Sequence, residues 1–133
     1  MEIVEFEPGE IRAFMRRLQV HEREILALAF KALEEEIWIP ENEQKLFRLI
    51  DDDIWCLRLG PNLWRSKRDL GVETAKPQRQ IAMLLRLYMI FENSSRILIL
   101  GAVDKRAQDS SLSQREVLTK VRKRRDELRI VEF

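Results

Sequence analysis

Apolar residues recur at helical spacing over two consecutive stretches in the first third of the chain. The first stretch predicts an amphipathic helix from Glu10, and the second predicts another that ends near the run 34–36 and Pro40. The apolar positions are Ile11, Phe14, Met15 and Leu18 in the first, and Ile25, Leu28, Ala29, Ala32 and Leu33 in the second. Residues 1–6 precede them with β-branched and aromatic character, and Pro8 with Gly9 ends that short predicted strand.

The hydrophobic period changes from helical to alternating in the second half of the chain. Trp55, Leu57 and Leu59 alternate with Cys56 and Arg58, which predicts a half-buried strand. Segments 81–91 and 96–103 are apolar and flank a four-residue polar loop, 92–95, which is typical of a hairpin. Residues 113–116 form a capping box that opens a basic helix, and residues 130–133 suggest a short final strand.

This order of elements predicts one α+β domain over residues 1–133. An N-terminal strand and helical hairpin (1–50) lead into a small, mainly antiparallel sheet (51–111) with a basic loop at 62–80, and a basic helix (112–133) follows. We expect the helices to pack on one face of the sheet and the other face to be free for function.

Charge is distributed very unevenly between the two halves of the chain. Residues 1–55 contain 7 Lys and Arg against 14 Asp and Glu, whereas residues 56–133 contain 17 against 9, so the formal charge of +1 hides a strong asymmetry. Either the basic half attracts a polyanion or the two halves neutralise each other. The pattern alone leaves both interpretations open.

Some classes of chemistry are disfavoured by composition. One cysteine and one histidine offer neither an internal disulfide nor a zinc-ligand spacing, so we expect no metal and no cofactor. The longest apolar runs are far shorter than the roughly 18 residues of a membrane helix, and we expect a cytoplasmic protein without a membrane association.

Three short motifs occur in an order known from one protein family. Segment 44–59 contains Lys, Leu, an acidic turn and an aromatic residue, and then Leu57 and Arg58 on a strand; Cys56 stands where a Glu is usual. Segment 84–91 has an internal Arg86, and the apolar segment 97–103 is followed by Lys105 and Arg106. With two preceding helices, this order resembles the RelE/ParE toxin superfamily, most closely its HigB-like, phage-derived branch.

The resemblance implies a RelE-like fold and the toxin of a type II toxin–antitoxin system. Toxins of this branch are ribosome-dependent endoribonucleases that cleave mRNA in the ribosomal A site. They are neutralised by a cognate antitoxin, often a helix-turn-helix protein. The implied reaction is attack of a ribose 2′-hydroxyl on its own 3′-phosphate, which requires proton transfer and stabilisation of charge on the phosphate.

The resemblance also supplies candidate site residues. Arg58 and Arg86 are expected to hold the scissile phosphate with Lys105 and Arg106, because a guanidinium group binds phosphate oxygens in pairs. Tyr88, on the same strand face as Arg86, is expected to stack on a base or to assist proton transfer. The candidate RNA-binding residues of the basic loop are Trp64, Arg65, Lys67, Arg68, Lys76 and Arg79.

Two alternatives remain open. Arg58 and Arg86 can equally be the solvent-facing positions of half-buried strands, and Arg65 competes with Arg86 as the family's second-strand arginine. On the functional side, a non-catalytic protein of the same fold would either bind a protein target through its N-terminal helical hairpin, as gyrase inhibitors do, or be a degenerate binding module. We assign no catalytic role to Cys56 or His21.

Overall fold

The computed structural model describes residues 1–60, 84–93, 95–105 and 110–131. Strands and helices are largely segregated along the chain, as in an α+β arrangement, and no helix in these ranges is long and apolar enough to cross a membrane. The elements are β1 (Glu2–Glu5), α1 (Glu10–Arg16), α2 (Val20–Glu34), β2 (Phe47–Leu49), β3 (Trp55–Leu59), β4 (Leu85–Asn93), β5 (Arg96–Asp104) and α3 (Ser110–Val131).

Local hydrogen bonds explain where the first two helices begin. The carboxylate of Glu5 accepts the backbone N–H groups of Gly9 and Ile11 at 3.0 and 2.9 Å, so it satisfies donors that the first turn of α1 leaves free. Gln19 and Glu22 form a capping box at the start of α2. Gly9 has a φ of +86°, a conformation that suits glycine. Both predicted helices are thus confirmed.

The elements differ from the prediction in three respects: one strand was not predicted, and one helix begins earlier and ends later than expected. The short strand β2 was not predicted, because three residues are too few to show an alternating pattern. Helix α3 begins at Ser110, before the capping box at Ser113. It also continues through Val131, so the suggested final strand is wrong for residues 130 and 131. Residues 132–133 lie outside the described ranges.

The five strands form one sheet in the order β1-β5-β4-β3-β2. Strands β2 to β5 are antiparallel neighbours, and β1 joins the edge in parallel with β5, pairing Glu2 with Arg96. The prediction of a mainly antiparallel sheet is confirmed. The hairpin between β4 and β5 is tighter than expected, since Asn93 is still in the strand and its side chain accepts the N–H of Ser95 at 2.8 Å.

One face of the sheet is covered by the N-terminal helical hairpin, as predicted. Leu26 and Leu33 of α2 are fully buried against Leu57 of β3 and Leu87 of β4, and Ile11 and Phe14 of α1 belong to the same cluster. The apolar stripes of the two helices therefore find their partner in the inward-facing positions of the central strands.

The opposite face is not free, contrary to the prediction. Val121 of α3 is fully buried in a second cluster with Cys56, Tyr88 and Leu100, and Val117 packs beside it. The apolar stripe of α3 needs a surface on which to be buried, and this face of the sheet provides one. The fold therefore has three layers: hairpin, sheet and C-terminal helix.

An irregularity in β5 brings α3 close to the sheet. Tyr88 pairs with Gly101 and Met89 pairs with Ile99, so Leu100 is an extra residue, as in a β-bulge. A Cβ atom on Gly101 would lie 3.0 Å from Cγ2 of Val121, closer than ordinary van der Waals contact. Glycine at this position allows the helix to approach the strand.

We expect Gly101→Val to lower the free energy of unfolding by about 1 to 3 kcal/mol, because the added side chain overpacks the interface with α3. Urea denaturation followed by circular dichroism measures the loss. In a Val121→Ala background the same substitution should cost less, since the methyl group closest to the new side chain is gone. Equal losses in the two backgrounds would contradict the proposed contact.

Ion pairs join the acidic N-terminal half to the basic helix α3. Arg124 forms a two-pronged hydrogen bond with the carboxylate of Glu10, at 2.8 and 2.7 Å. Arg122 pairs with Asp51 at 2.9 Å, and Arg125 lies 3.4 Å from both Asp51 and Asp53. Much of the positive charge of α3 is therefore neutralised within the protein, which favours the second interpretation of the charge asymmetry for this helix.

Candidate phosphate-binding site on the sheet

Arg58 of β3 and Arg86 of β4 are direct cross-strand partners. Partners in an antiparallel pair have Cα atoms about 5 Å apart and project to the same face of the sheet. Both side chains are half-buried. The Cα atoms of the two arginines are thus neighbours near the ends of these strands, on the face that also carries Cys56, Tyr88 and α3, and the Arg58 guanidinium group extends toward Lys45, which precedes β2.

Neither arginine is neutralised by a carboxylate of the described residues. Arg58 donates from Nη2 to the backbone oxygen of Lys45 at 2.8 Å, and Arg86 donates from Nη1 to the backbone oxygen of Leu85 at 2.9 Å. The Nε atom of Arg58 is buried and has no hydrogen-bond partner in the structure. Adjacent like charges with spare donors favour an anion that bridges them.

Two further cations lie near these arginines. Lys105 follows directly after β5, and its backbone N–H donates to the oxygen of Leu84 at 2.8 Å, just before the strand of Arg86. Arg48 of β2 pairs with Cys56 and therefore shares the face as well. We call Arg48, Arg58, Arg86 and Lys105 the sheet-face cations.

Arg48 was missed at the sequence level. The signal for it was the alternation of Phe47, which is buried, and Arg48, which is exposed, but it is visible only once β2 is recognised as a strand. Among the predicted residues, Arg106 and the loop residues Trp64, Arg65, Lys67, Arg68, Lys76 and Arg79 lie outside the described ranges. The competition between Arg65 and Arg86 therefore stays open, although Arg86 does face Arg58.

Tyr88 does not offer a stacking surface. Its side chain is 1% exposed and belongs to the buried cluster that contains Cys56 and Val121 of α3. Burial raises the pKa of the Tyr88 phenol above its ordinary value, with the neighbouring Cys56 as a second cause. The prediction that it stacks on a base is wrong for this conformation, because α3 covers the ring; the residue instead helps to hold α3 on the sheet.

Cys56 is surrounded by the same arginines but is not activated by them. Burial raises the pKa of its thiol to about 11, and this outweighs the opposite effects of Arg86, Arg58 and Arg48. The residue is 3% exposed. A group that is both covered and protonated cannot act as a nucleophile at neutral pH.

We expect iodoacetamide to alkylate Cys56 far more slowly in the folded protein than in the urea-unfolded chain. A pKa raised from 9.0 to about 11 alone lowers the thiolate fraction roughly 100-fold near pH 8, and burial slows the reaction further. Mass spectrometry over time measures both rates. Similar rates in the two states would show that the thiol is accessible and that α3 does not cover it.

The search for metal ligands and the comparisons with known proteins add no assignment for this site. No group of three His, Cys, Asp or Glu side chains among them is placed to hold a metal ion. The chain has no significant match among protein-family models, curated proteins or solved structures. Function must therefore be argued from the sheet-face cations themselves.

Proposed function

We propose that this protein is the toxin of a type II toxin–antitoxin system and acts as a ribosome-dependent mRNA endoribonuclease. Arg58 and Arg86 bind the scissile phosphate, and Lys105 and Arg106 contribute further positive charge. The resemblance of the sequence to HigB-like toxins motivates the proposal. Its structural support is the α+β arrangement and the pairing of Arg58 with Arg86.

The observation that carries the proposal is the unneutralised state of these two arginines. Strand pairing fixes the positions of both residues, and the described carboxylates do not pair with either guanidinium group. A phosphate diester has two non-bridging oxygens, so the guanidinium groups of two neighbouring arginines can each contact one of them. The same donors bind more strongly as negative charge grows in the transition state, which is how such a pair accelerates a reaction.

The proposed reaction transfers a phosphoryl group within the RNA. The ribose 2′-oxygen loses its proton and bonds to the adjacent phosphorus, the bond from phosphorus to the 5′-oxygen of the next nucleotide breaks, and that oxygen takes up a proton. The products are a 2′,3′-cyclic phosphate and a free 5′-hydroxyl. The arginines stabilise the charge of the intermediate, and Tyr88, which is covered by α3, takes no part.

The partners follow from the same proposal. The substrate is mRNA held on the ribosome, so the protein would act in the cytoplasm. A cognate antitoxin of the helix-turn-helix type would neutralise it. An acidic segment of such an antitoxin would find complementary charge in the sheet-face cations, and occupying them would exclude the RNA phosphate.

Inducible expression in bacteria tests the proposal. The wild-type chain is compared with Arg58→Ala/Arg86→Ala and with Lys31→Ala, a control that removes one positive charge from the exposed surface of α2. We expect growth arrest and new mRNA 5′ ends inside translated codons for the wild type and for Lys31→Ala. The double variant should show neither, although its circular dichroism spectrum and unfolding midpoint should remain close to those of the wild type.

The second candidate is a non-catalytic binding protein of the same fold, and the covered position of Tyr88 favours it. In that case α3 would permanently cover Tyr88, one of the predicted catalytic residues. Arrest without new mRNA ends, unchanged in the double variant, would support this candidate. If the wild type caused neither growth arrest nor new mRNA ends, the endoribonuclease proposal would be rejected.

A further inference from the structure

A groove with a volume of about 590 Å³ lies beside the N-terminal helical hairpin. It is bounded by α1, α2, the edge strand β1 and Ile99 of β5. These residues belong to the sheet face opposite to the sheet-face cations, so the groove is separate from the candidate phosphate site. Neither the sequence analysis nor the proposed function accounts for it.

The floor of the groove is apolar and incompletely covered. Ile11 and Ile99 are buried, whereas Ile3, Met15 and Phe30 are only half-buried and line the groove with the surface that remains. These three side chains come from β1, α1 and α2 and pack against the main core. A ligand that filled the groove would therefore gain free energy by removing apolar surface from water.

The rim of the groove is basic. Arg12 and Arg16 of α1 and Arg23 of α2 line it, and all three are exposed. Within the described part of the chain, no ion pair or side-chain hydrogen bond engages their guanidinium groups. Three arginines of α3 differ from them, because Arg122, Arg124 and Arg125 each form an ion pair with a carboxylate.

Two carboxylates also line the groove and offset the positive charge of the three arginines only in part. Glu5 also lines it, but its two oxygens accept the N–H groups of Gly9 and Ile11 and are therefore used to cap α1. Glu34 is the other acidic residue of the lining, at the last position of α2. The N-terminal half of the chain is acidic as a whole. The rim of this groove differs, because three arginines there have no ion-pair partner among the described residues.

We propose that this groove binds an acidic amphipathic segment of a partner protein. Apolar side chains of that segment occupy the floor at Ile3, Met15 and Phe30, and its carboxylates pair with the arginines of the rim. Arg12 and Arg16 are one helical turn apart, so they match carboxylates about 6 Å apart, as on successive turns of a helix. Charge complementarity selects such a segment over a basic or neutral one.

A peptide segment suits the shape better than a small molecule does. The groove is open along one side, whereas small-molecule sites usually enclose most of the surface of their ligand. A segment longer than the groove can cover the floor and still reach Arg23 on the second helix. The inference does not depend on cleavage of RNA, because it uses residues on the other side of the sheet.

Selection from a displayed library of random peptides, about 16 residues or four helical turns long, tests the inference on the full chain. We expect enrichment of peptides that combine Asp and Glu with apolar residues at helical spacing. Fluorescence anisotropy then measures the affinity of the best peptides for the wild type and for the variants. Arg12→Glu/Arg16→Glu should weaken binding at least about tenfold at low salt, and Met15→Glu should weaken it at all salt concentrations.

Two matched controls separate this surface from the rest of the protein. Lys123→Glu reverses an exposed charge on α3, and Arg58→Ala/Arg86→Ala removes the candidate phosphate site; both should bind the selected peptides like the wild type. Loss of binding in Arg58→Ala/Arg86→Ala but not in Arg12→Glu/Arg16→Glu would move the docking site to the sheet-face cations and overturn the inference. This outcome would leave the proposed function standing.

The remaining outcomes also overturn the inference. Selection that yields no acidic amphipathic peptides would reject the stated partner. Self-association that Met15→Glu abolishes would assign the groove to a second copy of the chain. Binding of oleate to the groove without any peptide binding would assign it to an apolar carboxylate instead. A peptide that binds the wild type and the Arg12→Glu/Arg16→Glu variant equally would reject the role of the basic rim.

Discussion

Arg86→Ala is expected to lower the rate of mRNA cleavage on ribosomes by about 100- to 1,000-fold, the usual cost of removing one preorganised donor from a transition state. The substitution should lower the cleavage rate at saturating protein concentration more than it lowers the affinity for the ribosome. The reason is that the guanidinium group acts on charge that develops during the reaction. Single-turnover cleavage of a defined mRNA in purified programmed ribosomes measures both quantities.

Arg86→Lys is the informative control. A lysine keeps the positive charge but loses the planar fork, so we expect a rate between those of the wild type and of Arg86→Ala. Arg58→Ala should reduce the rate to a similar extent, and the double variant should lose less than the product of the single effects, because both groups would hold one phosphate. Independent, multiplicative effects would argue against a shared phosphate.

Arg124→Ala is expected to cause the largest loss of stability among the charged positions, about 2 to 3 kcal/mol. The Arg124 side chain is only 13% exposed, and it forms two hydrogen bonds with Glu10 and one with the backbone oxygen of Leu100 at 2.7 Å. It also lies over the ring of Phe6. Urea denaturation at neutral pH measures the loss. Arg122→Ala removes a more exposed ion pair and should cost less.

The effect of Arg124→Ala should depend on pH. The hydrogen bond from Arg124 is the main cause that lowers the pKa of Glu10 below its ordinary value of 4.5. A carboxyl whose pKa is lower in the folded state stabilises the protein above its unfolded pKa and loses this effect as the pH falls through the folded one. The difference in stability between the wild type and the variant should therefore shrink as the pH falls below 4.5, and the part that comes from Leu100 and Phe6 should remain. A difference that did not shrink at all below pH 4.5 would exclude the ion pair with Glu10 as one of its sources.

The elements with a strong hydrophobic period were predictable from the sequence. The two helices of the hairpin and the strands β3, β4 and β5 follow from the spacing of their apolar residues, since each element buries one face. The parallel pairing of β1 with β5 was not predictable, because periodicity carries no information about which strands become neighbours. The layer to which α3 belongs was missed for the same reason.

The candidate site was predictable only in part. Alternation along β3 and β4 places Arg58 and Arg86 on one face, but it cannot show that a helix from a distant part of the chain will cover Tyr88 on that face. From the sequence alone, the basic residues of the C-terminal half could either attract a polyanion or be neutralised by the acidic half. Its partners, Asp51, Asp53 and Glu10, are far away in sequence, and only the fold brings them together.

The parallel pairing of β1 with β5 also has a consequence for the order of folding. Glu2 pairs with Arg96, and Arg124 reaches back over 114 residues to Glu10, so the two ends of the chain stabilise each other. Such long-range contacts require closing long loops before they contribute, which slows folding relative to a chain of local contacts. During synthesis, β1 has no partner strand until the second half of the chain has emerged. We therefore expect the protein to become compact only after translation is nearly finished and to unfold in a single cooperative step.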